Sequence, residues 1–182
     1  KKRMKNTNHS LFDKYEMIKD LGTGSSGSVT LVRHISMDQE RALKKVPKAS
    51  AFAESALSEA RLLKSLEHPS IPRIFDFEED NAFYYIVEEY IDGETLDSFL
   101  LHQQLISPGL FFNICEQLCN VFIYLHTQIS TPIIYRDLKP EHIIVCHNKL
   151  KLIDFGVSAY VIQDGNNFNH YGNIEFSAPE CF

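Results

Sequence analysis

Gly22-Thr-Gly24-Ser-Ser-Gly27 runs directly into Ser28-Val29-Thr30-Leu31-Val32, and this junction restricts the chain more than any other feature. Glycines at this spacing also occur in dinucleotide folds, but there the last of them opens a helix. Here β-branched residues follow Gly27, so the loop joins two antiparallel strands. The Gly-Lys-Ser/Thr ending of a P-loop is absent, which disfavours that fold too. A glycine-rich hairpin can lie flat over a polyphosphate, because residues without a Cβ let backbone N–H groups approach the oxygens. A merely flexible turn is the alternative that the loop alone leaves open.

The segments around the loop support a sheet. Tyr15–Leu21, Ser28–His34 and Arg41–Val46 have strand character and are separated by polar or glycine-rich turns. Between Ser50 and Leu66, the residues Phe52, Ala56, Ala60, Leu63 and Leu66 recur at spacings of three and four, which predicts one amphipathic helix. Arg73–Phe77 and Phe83–Glu89 follow as strands around the acidic turn Glu78-Glu79-Asp80-Asn81. After Asp92-Gly93 the pattern becomes helical. Thr95–His102 is short, and Ser107-Pro108 opens a long helix as N-cap and first-turn proline. Its stripe is Leu110, Ile114, Leu118, Val121 and Leu125, and it is expected to end near Thr131-Pro132. Short apolar pieces at Ile133-Ile134, Ile143–Cys146 and Leu150–Ile153 come next, and beyond Asp154 the chain is polar and rich in asparagine.

Eighteen Lys+Arg against twenty-four Asp+Glu give a net charge of −6, which lacks the basic footprint of a protein that coats nucleic acid. Four cysteines are too few for a secreted disulfide framework; Cys115 and Cys119 read as small apolar residues on a helix face, and Cys146-His147 lacks a zinc-finger spacing. No apolar stretch of membrane-spanning length and no signal-peptide core is present, so the expected compartment is a reducing cytoplasm.

Seventeen residues after Gly27 comes Ala42-Leu43-Lys44, then the helix with Glu59, then Tyr135-Arg136-Asp137-Leu138-Lys139-Pro140, Asp154-Phe155-Gly156 and Ala178-Pro179-Glu180. In this order the motifs resemble the eukaryotic-like (Hanks-type) protein kinase family, in its Ser/Thr branch and with a bacterial flavour, from about Tyr15 to Glu180. The resemblance implies an α+β, bilobal fold. Residues 1–12 form a basic and polar tail, 13–90 an N-lobe with a five-stranded antiparallel sheet and one helix, and 91–182 a partial, mostly helical C-lobe.

It also implies an ATP-dependent transfer of the γ-phosphoryl group to a protein hydroxyl, assisted by Mg²⁺. Such a transfer needs cations at the phosphates and a group that orients the nucleophile. By resemblance, Lys44 contacts the α- and β-phosphates and Glu59 holds it. Asp137 accepts the substrate hydroxyl proton, Lys139 steadies the transferred group and Asp154 binds metal. Leu21, Gly22, Gly24 and Gly27 form the covering loop. Val29 and Ala42 lie above the adenine and Ile144 below it, while Glu89, Tyr90 and Ile91 form the hinge that meets the purine edge.

Four departures from the family pattern shape the expectations. His142 stands where the family places a metal-binding asparagine. Mg²⁺ prefers oxygen donors, so weaker Mg²⁺ support and a relative preference for Mn²⁺ are expected; a histidine that only hydrogen-bonds the loop is the alternative. Glu88 falls at the usually apolar back of the pocket and is expected to compete with Glu59 for Lys44, unless the register slips by one and Val87 is the pocket residue. No threonine lies between Asp154 and Glu180, where Ser158, Tyr160, Tyr171 and Ser177 are the hydroxyls and Gly172-Asn173 replaces Gly-Thr. Arg136 could pair with a phosphate on one of them, and Tyr135 replaces the more usual histidine.

Finally, the chain stops at Cys181-Phe182, well before a family kinase does. The exposed face is then expected to be covered by the rest of a longer product, or by a second copy or partner docking on the stripe from Leu110 to Leu125. A pseudokinase, or a module that binds nucleotide or a partner without efficient turnover, is the competing reading. A small-molecule kinase of the aminoglycoside type is a more distant one, because it does not ordinarily carry Lys139 or Ala-Pro-Glu.

Overall fold

The computed structural model describes residues 10–24, 27–102, 106–161 and 175–177. The chain divides into two compact units, one containing residues up to Leu57 together with Ile74–Tyr90, the other Ser58–Arg73 and the chain from Ile91 onward.

The first unit is built on β1 (Tyr15–Gly24), β2 (Gly27–His34), β3 (Gln39–Pro47), β4 (Ile74–Glu79) and β5 (Phe83–Glu89), in the spatial order β1-β2-β3-β5-β4 with every neighbouring pair antiparallel. The expected strands all appear, several a few residues longer, and β5 at the expected bounds. Side chains directly opposite on antiparallel strands share a face. Val32, Leu43, Tyr85 and Val87 therefore form the core of one face, together with Leu11 and Tyr15, and Phe83 packs against them.

Leu11 belongs to a one-turn helix, α1 (Leu11–Lys14), which the sequence reading placed partly in a polar tail. Ser10 caps it, its hydroxyl accepting from Phe12 N–H while Asp13 accepts from the Ser10 N–H. Phe12 meets the Tyr85 ring edge-on at 5.2 Å, and Leu11 N–H donates to Glu78. Lys14 and the Tyr15 hydroxyl both reach Asp76, at 3.0 and 2.6 Å. Burying Leu11 contributes about 1.5–3 kcal/mol, which explains why an isolated turn is held at all. The expected boundary at residue 13 thus falls inside a folded element.

Helix α2 (Ala53–Lys64) has its N-terminal turn in the first unit and the rest in the second. It buries Ala56, Ala60 and Leu63 as the spacing predicts, and Ala53 besides, whereas Phe52, counted on the same stripe, precedes the helix and is exposed.

In the second unit, β6 (Glu94–Thr95), β8 (Ile143–Cys146) and β9 (Lys149–Leu152) form one small sheet, and β7 (Ile133–Ile134) pairs with β10 (Ala159–Tyr160). Between them lie α3 (Leu96–His102) and α4 (Pro108–Ile123). Ser107 caps α4 by accepting from Leu110 N–H, with Pro108 in the first turn, as expected. The helix does not run on to Thr131. It changes at Tyr124 into a wider turn, Tyr124–Gln128, where the Thr127 hydroxyl donates back to the Ile123 carbonyl at 2.7 Å.

Most of the stripe of α4 packs within its own unit. Ile114, Val121 and Leu125 are buried within the unit, and Gln117 fixes the helix to the β8–β9 hairpin by accepting from Leu150 N–H at 3.0 Å and donating to the Asn148 carbonyl at 2.9 Å. Three of the five stripe residues are thus used inside the unit, while Leu110 and Leu118 are half-buried.

The loop between α2 and β4 is tied down by polar contacts. Glu67 N–H donates to the Tyr124 hydroxyl at 2.8 Å, Leu152 N–H to the Ser70 carbonyl at 2.8 Å, and Ser70 N–H to His68 Nδ1 at 3.1 Å. Burial first, and the charge of Lys151 second, push the His68 imidazole below its ordinary range. Cys115, Cys119 and Cys146 are free thiols. Among the described residues no helix is long and apolar enough to cross a membrane.

Candidate active site

In the first unit, the pairing register places the expected residues. Val29 is opposite Lys44, Leu31 opposite Ala42, Lys44 opposite Ile86 and Ala42 opposite Glu88. Val29, Ala42, Lys44 and Glu88 therefore share one face of the sheet, the face opposite the core that α1 covers. This decides between the two registers considered for the pocket. Val87 is fully buried in the other face, so Glu88 is the residue that stands with Lys44.

Gly24 pairs with Gly27 at the tip of the β1–β2 hairpin. Gly27 has φ +141°, and a Cβ there would stand 2.1 Å from the Lys45 carbonyl oxygen, so a side chain is excluded by backbone on two counts. Gly22 and Gly24 lie in open space, and Leu21 beside them is 39 % exposed. Ser25 and Ser26, at the turn itself, lie outside the described residues. Glu89 ends β5, with Tyr90 and Ile91 following as half-buried residues, and the Ile91 carbonyl accepts from Gly93 N–H. Gly93 is also obligatory, since a Cβ would approach the Val145 carbonyl oxygen to 2.5 Å.

In the second unit, the catalytic candidates sit on two loops held by one aromatic pair. Tyr135 and Phe155 are both buried, with rings edge-on at 5.0 Å, and the Tyr135 hydroxyl donates to the Ile153 carbonyl. Burial chiefly, and then the charges of Asp154, Asp137 and Glu59, push that phenol far above its ordinary range, so it stays a neutral donor. Phe155 N–H donates to the Glu59 carboxylate at 2.9 Å, and the Ser158 hydroxyl to the Tyr135 carbonyl at 3.1 Å. Tyr135, which replaces the more usual histidine, supplies the hydroxyl that joins the two loops. The signal was available: a tyrosine inside an apolar run needs a partner for its hydroxyl.

Between these anchors the polar groups converge. Lys139 Nζ stands 3.0 Å from Asp137 Oδ2, with both side chains about four-fifths buried. The turn Pro140–His142 then brings His142 back, its N–H donating to the Lys139 carbonyl at 3.0 Å and its carbonyl accepting from Ile153 N–H at 2.9 Å. Its ring places Nδ1 3.0 Å from the Asp137 carbonyl oxygen and Nε2 3.3 Å from Asp154 Oδ2. Arg136 and Asp154 have φ of +74° and +60°, so each loop holds a non-glycine residue in the left-handed region. Such conformations persist only where surrounding contacts fix them. Ile144 on β8 is half-buried, alternating with the buried Ile143 and Val145.

An acid held by an ammonium group, with a second, half-exposed carboxylate close by, can orient a hydroxyl and neutralise a polyphosphate. Among the described residues no cluster of three or more histidine, cysteine or acidic side chains forms a closed metal cage. Asp154 suits instead a divalent ion that takes most of its ligands from phosphate oxygens and water. The expected hydroxyls Ser158 and Tyr160 are placed, on the turn after Phe155 and on β10, while Tyr171, Gly172-Asn173 and Ala178-Pro179-Glu180 lie outside the described residues.

Comparison with known proteins points to one family. Residues 15–182 match the family model described as "Protein kinase domain". The chain is 30% identical over 176 residues to the serine/threonine-protein kinase PrkC of Bacillus subtilis, covering 92% of the chain and 26% of that protein. It is 34% identical over 167 residues to the serine/threonine-protein kinase ppk25 of Schizosaccharomyces pombe, covering 89% and 39%. With calcium-dependent protein kinase 4 of Plasmodium falciparum it shares 33% identity over 192 residues, covering 97% and 35%. The chain thus spans between a quarter and two-fifths of the length of these relatives.

Proposed function

The chain belongs to the protein kinase family, in its Ser/Thr branch, and from that premise we propose that it transfers the γ-phosphoryl group of ATP to serine or threonine hydroxyls of a protein. The observation that supports this best is the meeting of Asp137, Lys139 and Asp154 on two loops joined by the Tyr135 hydroxyl. Asp137 orients the nucleophilic hydroxyl and takes its proton, and Lys139 steadies the transferred group. Asp154 would hold a divalent ion, which when bound would supply positive charge at the phosphates. Leu21, Gly22, Gly24 and Gly27 cover the phosphates, Lys44 binds them, and Val29, Ala42, Ile144 and the backbone of Glu89, Tyr90 and Ile91 receive the purine.

One observation favours a nucleotide-binding module without efficient turnover as the second reading. Glu88 shares the face of Lys44, and a carboxylate there competes with phosphate for the ammonium group. Incubation with γ-labelled ATP and a generic basic protein, followed by identification of the labelled amino acids, separates the two readings. Labelled serine or threonine that disappears in Asp137→Asn supports the enzyme. Nucleotide binding with no label, in Mg²⁺ and in Mn²⁺, supports the module.

A further inference from the structure

Ser10 caps α1 and stands between two carboxylates. Its hydroxyl donates to Glu78 Oε1 at 3.5 Å, and its N–H donates to Asp13 Oδ2 at 3.1 Å. Glu78 serves α1 twice, because its other oxygen accepts from Leu11 N–H. Lys14, the cation of this turn, is engaged with Asp76 at 3.0 Å. A single turn is too short to hold its own shape, so the place of α1 depends on these bonds and on the buried Leu11. From Lys14 onward the chain is fixed separately: the Lys14 carbonyl accepts from Ile35 N–H at 2.9 Å, and the Tyr15 hydroxyl donates to Asp76 at 2.6 Å. A segment held in this way opens locally more often than the ladders beside it. Each opening frees the half-buried Ser10 hydroxyl from Glu78.

We propose that Ser10 is a phosphorylation site of this chain, modified by a second copy, and that the phosphate keeps α1 off the sheet. The inference rests on the transfer activity proposed above. In the step, the Ser10 Oγ–Pγ bond forms as the bond from Pγ to the β,γ-bridging oxygen of ATP breaks. ADP leaves, and the hydroxyl proton passes to Asp137 of the second copy. A phosphoserine carries about −1.5 to −2 charges at neutral pH. In the docked position that charge faces Glu78, with Asp13 beside it and Lys14 already taken. A phosphate at the start of a long helix is favourable, because aligned peptide dipoles attract it, but α1 has one turn and Glu78 opposes the phosphate directly. The opened form is therefore the one that persists. Arg3 and Lys5 precede Ser10 closely in the sequence, and they offer the released phosphate cations that the docked position does not. Release uncovers the seat of Leu11 among Val32, Leu43, Tyr85 and Val87.

The test has two arms, both on the whole chain. In the first, the wild-type chain is incubated with ATP and Mg²⁺, with a basic test protein and the Asp137→Asn chain as acceptors, and phosphate is located by mass spectrometry. Phosphate is expected on Ser10 of the Asp137→Asn chain, and not when that chain is incubated with ATP alone. In the second, phosphoserine is installed at position 10 during synthesis, which needs no activity of the chain, and amide hydrogen exchange is compared with the unmodified protein. Exchange at Leu11 and Tyr15, whose N–H groups donate to Glu78 and to the Leu11 carbonyl, should be about tenfold faster, with the β2–β3 ladder unchanged. In Glu78→Gln, whose amide oxygen still accepts from Leu11 N–H, the phosphate should have a severalfold smaller effect. A labelled test protein with Ser10 unmodified overturns this inference alone. So does a phosphoserine that leaves exchange unchanged, slows it, or acts equally in Glu78→Gln. Transfer to neither acceptor overturns the inference together with the reading beneath it.

Discussion

From Tyr15 to Glu89 the first unit is joined by four antiparallel ladders, and its core residues face one another across those ladders. The second unit has no strand longer than four residues among those described, and side chains bridge its loops: Gln117 to the β8–β9 hairpin, Tyr124 to Glu67, Tyr135 to Ile153 and Glu59 to Phe155. A ladder spreads its stability over many similar bonds. Loops bridged by single hydroxyls and amides concentrate it in a few, and two of those few, Tyr135 and Glu59, hold the chain beside Asp137 and Asp154. The two units should therefore fail differently when disturbed.

The largest effect is expected where the ladder admits no side chain. Gly27→Val forces backbone apart at Lys45 and strains φ, which should cost about 3 kcal/mol or more. Hydrogen exchange should show the loss in β1–β3, with the β8–β9 hairpin still protected; uniform loss in both units would erase the distinction. Gln117→Ala is the matching break in the second unit. It removes the acceptor of Leu150 N–H and the donor to Asn148, and about 1–3 kcal/mol should be lost, with faster exchange at β9 and none at β3.

Tyr135→Phe keeps the ring against Phe155 but leaves the half-buried Ile153 carbonyl without its donor, a cost of about 1 kcal/mol. The phosphoryl-transfer rate should fall while ADP affinity stays as it was. A fall in affinity with an unchanged rate would remove Tyr135 from the positioning role.

The smallest effect is a difference in acid response. The protonated form of His68 is disfavoured in the fold, so the unfolded chain takes up that proton first. Its contribution to the second unit is full above about pH 6.5 and declines as pH falls through the lowered value. In the first unit, burial raises Asp76, but the Tyr15 and Lys14 hydrogen bonds outweigh it and hold the carboxyl low; backbone N–H groups of Ala82 and Phe83 do the same for Asp80. Their contribution is full above the ordinary value of 3.8 and is lost as pH falls below it. Exchange measured between pH 7 and pH 5 should therefore rise around Glu67–Ser70 and stay constant across β4 and β5. The opposite order would show that these polar contacts do not set the acid response.

The same contrast explains what could be read in the sequence. Strand positions, the amphipathic stripe of α2 and the start of α4 follow from periodicity and capping, which are local. Leu11 was lost to the tail because one apolar residue in a single turn has no period, and its burial depends on strands far along the chain. The end of α4 was misplaced because the apolar spacing continues through Leu125 while the backbone widens at Tyr124. At the site, the motifs marked Lys44, Asp137, Lys139 and Asp154, and pairing register then placed Glu88 on the Lys44 face. The bridging role of Tyr135 and the return of the His142 ring to Asp137 depend on which carbonyl each group meets, and spacing alone does not carry that information.

The central claim is that nucleotide binding and phosphoryl transfer separate, with transfer depending on Asp137 as held in the second unit. The most direct measurement is single-turnover transfer to a protein substrate by wild type and Asp137→Asn at matched ADP-competable nucleotide occupancy. We expect binding to be retained and the rate to fall by about 10²–10⁴-fold in the variant. An equal rate at equal occupancy would contradict the assignment of Asp137 and, with it, the reading of the second unit as the seat of the chemistry.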